Sequence, residues 1–374
     1  MKGKTFAICA LTLCGALSQT VMTQAEGRVN PFTVPYTTPY GIPPYESITY
    51  DDYMPALKLA IDHQRAAIAA IVANKEKPTF DNTVLALEQS GDELSKVAGV
   101  FYGLNEAVNT PEMAKVAEEF IPTVSAWEDE MAMNPGLFKR IKYLYDNRDK
   151  LGLDTPRLRA VEELYKDFTR NGALLSEADQ QRLKEINMRI SDLELKFNKN
   201  LLDGTNAFEL VVTDPSRLSG IPESVVANAA DEAKVRGYGD KTWVFTLHAP
   251  SRLPVLQFAN DRKLREEMFK GYTSLASSGK YDNNAVIAEM LPLRNEKAKL
   301  LGFKDFAAYM TDNVMAKTPE AAEKLLMQVY TPAVKRVEEE VAEMQAIAYA
   351  EGANLTSEPW DYYYYAEKVR SKNF

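Results

Sequence analysis

Apolar residues along much of this chain recur at steps of three and four, the spacing that gathers them on one face of an α-helix. In "YMPALKLAIDHQRAAIAAIVAN", Leu57, Ile61, Ile68, Ile71 and Val72 share a face, which predicts a helix over 53–74. "TPEMAKVAEEFIPTVSAWEDEM" predicts another. Thr110 is its N-cap, and Pro111 takes the first helical position, where no N–H is needed. Its apolar face is Met113, Val116, Phe120, Val124, Trp127 and Met131. The same Thr-Pro start recurs at Thr155-Pro156 and Thr318-Pro319. The most regular stretch is 155–202. Leu158, Val161, Leu164, Tyr165 and Phe168 mark a helix that ends at Asn171-Gly172. Ser176 caps the next, with Asp179 three residues on. Leu183, Ile186, Ile190, Leu193, Phe197 and Leu201 then form a coiled-coil-like seam, so an antiparallel helical hairpin is expected.

Between 207 and 248 the period shortens. "AFELVV" and "TWVFTLHA" carry β-branched and aromatic residues in partial alternation and predict two short strands flanking a short helix. Helices resume at about 260; the longest, 318–350, contains Pro332 and is expected to kink there. Residues 26–50 are rich in proline and tyrosine and predict an extended, non-helical arm. No fixed-period repeat is present, which counts against a solenoid. The expected fold class is mainly α with a small two-stranded β element near 207–248. The expected regions are 26–50, 51–206 and 207–374.

Residues 1–25 stand apart. Lys2 and Lys4 precede an apolar, uncharged stretch, and Thr23-Gln24-Ala25 offers small residues for cleavage, the pattern of a secretory signal peptide. Ser18, Gln19 and Thr20 interrupt the apolar run, which is short for a membrane span. Cys14 raises a lipoprotein alternative, although Leu13 precedes it. Cleavage would remove two lysines, taking the net charge from −9 to −11, and both cysteines, Cys9 and Cys14. The mature chain then has no thiol for a disulfide or metal site. An exported protein of this kind suits the periplasm of a Gram-negative bacterium. The acidic balance argues against nucleic acid and against anionic membrane surfaces as partners.

Candidate chemistry is sparse. A catalytic zinc site needs about three His, Asp, Glu or Cys ligands, and the helical form is His-Glu-x-x-His. The only histidines are His63, followed by Gln64, and His248, followed by Ala249, so neither opens that motif. There is no Gly-x-Ser-x-Gly elbow and no Gly-rich phosphate loop. Carboxylate runs such as Glu338-Glu339-Glu340 read as a solvated helix face. The tyrosines of 362–365 are either packing aromatics or cleft residues whose hydroxyls could bind a peptide. The closing "EPWDYYYYAEKVRSKNF" opens a helix and carries no stop signal.

Four stretches together resemble one family. "TWVFTLHAPSRLPVLQFANDRKLREEMFKGYTSLASSG" is similar to the segment ahead of the catalytic domain in the thimet-oligopeptidase-like zinc metallopeptidases of family M3. Arg294, Ala298, Leu300, Leu301, Gly302 and Phe303 resemble its Arg-x-x-x-Ala-x-Leu-Leu-Gly-Phe stretch. Pro359, Trp360, Asp361, Tyr364 and Tyr365 resemble its Pro-Trp-Asp-x-x-Tyr-Tyr element. "NPFTVPYTTPYGIPPYESI" with "PTFDNTVLALEQSG" is most similar to the bacterial peptidyl-dipeptidase Dcp branch.

The resemblance implies a mostly helical enzyme with a deep substrate channel and one zinc on a His-Glu-x-x-His helix plus a later glutamate. It implies hydrolysis of short peptides with release of C-terminal dipeptides. The family's zinc motif lies downstream of Pro-Trp-Asp-x-x-Tyr-Tyr. The chain is therefore expected to be the N-terminal part of a longer peptidase. It would be inactive alone, with the C-terminal catalytic part as its partner. No zinc ligand or catalytic residue carries over. Trp360, Asp361, Tyr364 and Tyr365 are the candidates for the substrate channel or its support. The competing expectation is a non-catalytic exported helical protein that binds peptides or acts as a scaffold. A metal-independent hydrolase would lack any nucleophile motif.

Overall fold

The computed structural model describes residues 28–373 apart from Asn109 and Asn354. The signal-peptide reading of residues 1–25 lies outside the described residues. Helices dominate in chain order: α1 (Tyr50–Ala73), α2 (Ala86–Ser90), α3 (Asp92–Ala107), α4 (Pro111–Ala132), α5 (Pro135–Asn147), α6 (Thr155–Arg170) and α7 (Glu177–Ala207). Strands β1 (Leu210–Val212) and β2 (Trp243–Phe245) flank α8 (Glu223–Val235). There follow α9 (Ala249–Phe258), α10 (Arg262–Thr273), α11 (Asn284–Leu300), α12 (Phe306–Asp312), α13 (Pro319–Ala350) and α14 (Tyr362–Asn373). Among the described residues the class is mainly α with one small antiparallel sheet. Among the described residues no helix is long and apolar enough to cross a membrane.

The chain forms two compact units. One holds the described residues up to Phe120 together with Lys139–Val161; the other holds Ile121–Phe138 and everything described from Glu162 onward. In the first unit, α1 starts where Asp52 accepts the Thr49 N–H at 2.7 Å and pairs with Arg28 at 2.7 Å. Leu57, Ile61, Ile68 and Ile71 are buried as their spacing requires, whereas Val72, in the last turn, is exposed. The arm before α1 has no α-helix, but it is not uniformly extended. It makes 3-10 turns at Pro31–Thr33, Pro39–Gly41 and Tyr45–Ser47, where prolines fix φ without needing an N–H. The arm is anchored by Phe32, whose ring sits 5.3 Å from that of Tyr53, and Phe101 stacks on Phe120 at 3.9 Å in the same core.

In the second unit, α6 ends as the sequence indicates. Gly172 takes a positive φ, the Gly172 N–H reaches the Thr169 carbonyl, and the Ala173 N–H reaches back to the Phe168 carbonyl. The seam of α7 packs along α11. Leu193 is buried with Val286 and Met290, and Phe197 and Leu293 pack beside them. Ion pairs Arg182–Glu296 (2.7 Å), Arg189–Glu289 (2.5 Å) and Arg294–Glu194 (2.7 Å) flank the contact. An apolar stripe records that a helix needs a partner but not which one. One partner here lies about a hundred residues downstream.

The two strands pair Leu210 with Phe245, Val211 with Val244 and Val212 with Trp243. Val212 and Phe245 share a core with Val255 and Leu256 of α9 and with Leu264 and Met268 of α10. Gly220 lets the chain pass close to the end of α9. Its φ is +88°, and a Cβ there would stand 2.3 Å from the Phe258 carbonyl oxygen. Helix α13 continues through Pro332 as a single element.

Burial and surface charge should contribute unequally to the α7–α11 contact. Leu193→Ala is expected to cost about 2–4 kcal/mol through lost burial and a cavity. Arg189→Ala, which breaks an exposed pair, should cost under about 1 kcal/mol. Urea unfolding of the two variants checks the order; equal losses would refute it.

Candidate functional site

The Pro-Trp-Asp stretch forms a 3-10 turn, Pro359–Asp361, that leads directly into α14. The Asp361 carboxylate accepts the Glu358 N–H at 3.1 Å and so caps its own turn. It is fully buried. Two arginines one turn apart on α10 hold it. Arg262 reaches Oδ2 at 2.7 Å and Arg265 reaches Oδ1 at 2.8 Å. Arg265 is itself 2% exposed, and its second arm donates to the Ala259 carbonyl at 2.7 Å, where α9 ends. One guanidinium thus links the end of α9, helix α10 and the start of α14. Arg262 also donates to the Thr356 carbonyl at 3.3 Å.

Burial alone would raise the carboxyl pKa of Asp361. Hydrogen bonds from Arg262 and Arg265 outweigh it and hold the group below its ordinary value. A carboxylate engaged by two cations on both oxygens is an anchor: it is not free to take up a substrate proton. The adjacent guanidinium charges also make it a poor ligand for a metal cation.

The other sequence candidates gather around this anchor. Trp360 lies edge-on to Phe269 at 6.5 Å, with Lys270 Nζ 5.1 Å and the Arg262 guanidinium 5.7 Å from its ring centre. Its indole Nε1 is buried without a hydrogen-bond partner, as is Arg265 Nε. The Tyr364 hydroxyl donates to Asn260 Oδ1 at 2.9 Å, and Arg265 and Lys368 lie 4.1 and 4.3 Å from its ring. Tyr365 is buried with Met344 and Ala348 of α13, and that burial pushes its hydroxyl pKa up. The structure therefore brings Trp360, Asp361, Tyr364 and Tyr365 into one packed junction. The rings left exposed belong to Tyr362 and Tyr363, set edge-to-face at 5.8 Å.

The sequence pattern pointed to neither Arg262 nor Arg265, and not to Asn260. A signal was present in "NDRKLREEMF", where two arginines three apart must share a helix face. Their carboxylate, however, lies 96 to 99 residues away.

The histidines stand elsewhere. His63 Nδ1 is 2.7 Å from Glu93 Oε2, an exposed pair in the first unit. His248 precedes α9, with Nδ1 3.3 Å from Thr246 Oγ1. It lines a cavity of about 300 Å³ with Asn228, Glu232 and Ser251. Among the described residues no three His, Cys, Asp or Glu side chains come together as metal ligands.

Comparison with known proteins places these features in context. Residues 255–374 match the sequence profile of Peptidase family M3. The chain is 35% identical over 347 residues to the dipeptidyl carboxypeptidase of Escherichia coli K12, covering 92% of this chain and 51% of that protein. It is 33% identical over 343 residues to oligopeptidase A of the same organism, covering 90% and 50%. It is 27% identical over 302 residues to a thimet-like oligopeptidase of Dictyostelium discoideum, covering 78% and 43%. The chain thus spans about half the length of the relatives it matches.

Asp361→Asn leaves the buried Arg265 guanidinium and the partly exposed Arg262 without their counter-charge and should destabilise the chain by about 3–5 kcal/mol. A depressed folded-state pKa adds stability above the unfolded carboxylate value. That stability is lost as pH falls from about 4 through the folded value. Urea midpoints measured between neutral and acid pH should therefore fall more steeply in this window for the parent chain than for D361N. Parallel curves would refute the role given to Asp361.

Proposed function

We propose that this chain, which belongs to peptidase family M3, supplies the helical, substrate-facing half of a zinc-dependent oligopeptidase. The whole enzyme would hydrolyse short peptides and release dipeptides from their free C-termini. The observation that carries this reading is the match of 92% of the chain to about half of a dipeptidyl carboxypeptidase. Related coverage of oligopeptidase A supports it.

The described residues do not fit a zinc site. His63 has one carboxylate neighbour, and His248 has a threonine hydroxyl. Zinc and its ligands would belong to the part of the enzyme that this chain does not include, and the chain would be inactive by itself. Its own contribution would be a wall. The Asp361–Arg262–Arg265 anchor fixes the start of α14, with Trp360, Tyr364 and Tyr365 packed around it. On that base the rings of Tyr362 and Tyr363 remain free to contact a peptide. We assign the enzyme to the periplasm on the leader-like pattern of residues 1–25.

The test is made on the native protein from its source. Its intact mass should lie well above that of the 374-residue chain, and it should carry about one zinc per molecule. It should release dipeptides from short peptides, with the activity lost on chelation and restored by zinc. A mass no greater than that of the chain, with no zinc and no peptide hydrolysis, would overturn the reading in favour of a peptide-binding or scaffold role.

A further inference from the structure

Helix α13 carries one apolar stripe from end to end. Leu326, Tyr330, Ala333, Val337, Val341, Met344 and Ala348 follow each other at steps of four and three, which keeps them on a single face. The two ends of the stripe differ. Met344 is 6% exposed and Ala348 is fully buried, both covered by Tyr365 of α14. By contrast Leu326 is 68%, Tyr330 60%, Val337 47% and Val341 39% exposed. Residues 323–339 are exposed without exception. The opposite face of the same helix is polar, with Lys324, Gln328, Lys335 and Glu339. The open part of the stripe runs for roughly 24 Å at 1.5 Å per residue. Val314 and Met315, just before α13, are also exposed. An open apolar patch of this length on one helix face is the mark of an interface.

We propose that this stripe is the docking surface for the complementary half of an M3 peptidase. The inference rests on the peptidase reading above. Two observations select that occupant. The stripe lies inside the stretch 255–374 that matches the family profile. The matches also leave about half of each relative uncovered, in proteins from different organisms. The covered end of the stripe shows the kind of contact the open end takes: an aromatic ring laid over small and flexible apolar side chains.

The test uses single cysteines in the full chain, with Cys9 and Cys14 replaced by serine. Leu326→Cys and Val337→Cys report on the stripe; Gln328→Cys and Lys335→Cys report on the polar face. Thiol labelling is compared between the chain alone and the chain joined to the remaining half of the E. coli dipeptidyl carboxypeptidase. The expected result is at least a tenfold slowing at Leu326→Cys and Val337→Cys on joining, with little change at the two controls. An active, chelator-sensitive hybrid with no slowing at the stripe would overturn the docking surface and leave the peptidase reading standing. Slowing in an inactive hybrid would uphold the surface while counting against the peptidase reading. Slow labelling of the stripe in the chain alone, with dimers on size exclusion, would assign the surface to a second copy and overturn the proposal.

A second measurement needs no hybrid. Leu326→Asp with Tyr330→Asp in the chain alone should leave the melting temperature unchanged within about 1 °C, because these positions are solvated. On the usual scale a core change shifts it by several degrees, and such a drop here would show the stripe already packed within the chain and would overturn the proposal.

Discussion

The buried carboxylate of Asp361 is the constraint around which the second unit is arranged. Arg265 could not sit beneath α14 without it, because an unpaired guanidinium in that position would carry the full desolvation cost of its charge. The pair is consequently less a source of net stability than a condition on geometry. Any packing of α14 that moves Asp361 away strands two cations. The same guanidinium holds the last carbonyl of α9, so three helix ends are fixed by one planar group. Arginine suits this position because its donors point in fixed directions, which a lysine ammonium would not reproduce.

Elsewhere electrostatics is peripheral and the apolar core decides. The pairs that line the α7–α11 contact are close, but most of their side chains face water, where salt and solvent weaken them. Their use is in alignment: successive pairs favour one antiparallel register over slipped ones. Leu193, Val286 and Met290 supply the attraction. The β1–β2 pair likewise depends on what lies beneath it, since three-residue strands are too short to stand alone.

Local pattern made much of the fold legible. The helical spacing of α1 and α4, the glycine stop of α6, the serine cap of α7 and the change of period around β1 and β2 are all visible because each depends on neighbours a few residues away. Pairings across long separations were not visible. The seam on α7 specifies a partner without naming α11, and Asp361 looks like a helix-start residue until Arg262 and Arg265 are placed beside it. The candidate residues Trp360, Asp361, Tyr364 and Tyr365 were found through resemblance to a family, since their composition alone suits packing as well as recognition. Which of the four consecutive tyrosines point outward depends on the orientation of α14, and that follows from the buried anchor.

Helix α13 also bears on where the chain opens when it stands by itself. Most helical stability in proteins comes from tertiary packing rather than from propensity, and Pro332 removes one of the internal hydrogen bonds of α13. Residues 323–339 gain almost nothing from surrounding packing. In the chain alone their amides would exchange with solvent by local opening, at a lower free energy than global unfolding. A protease acting on the chain alone would therefore find its site in this stretch while the α7–α11 core is still closed. A nick there separates the Asp361 anchor from nothing it needs, because Arg265 and Asp361 remain bound through space on either side of the cut.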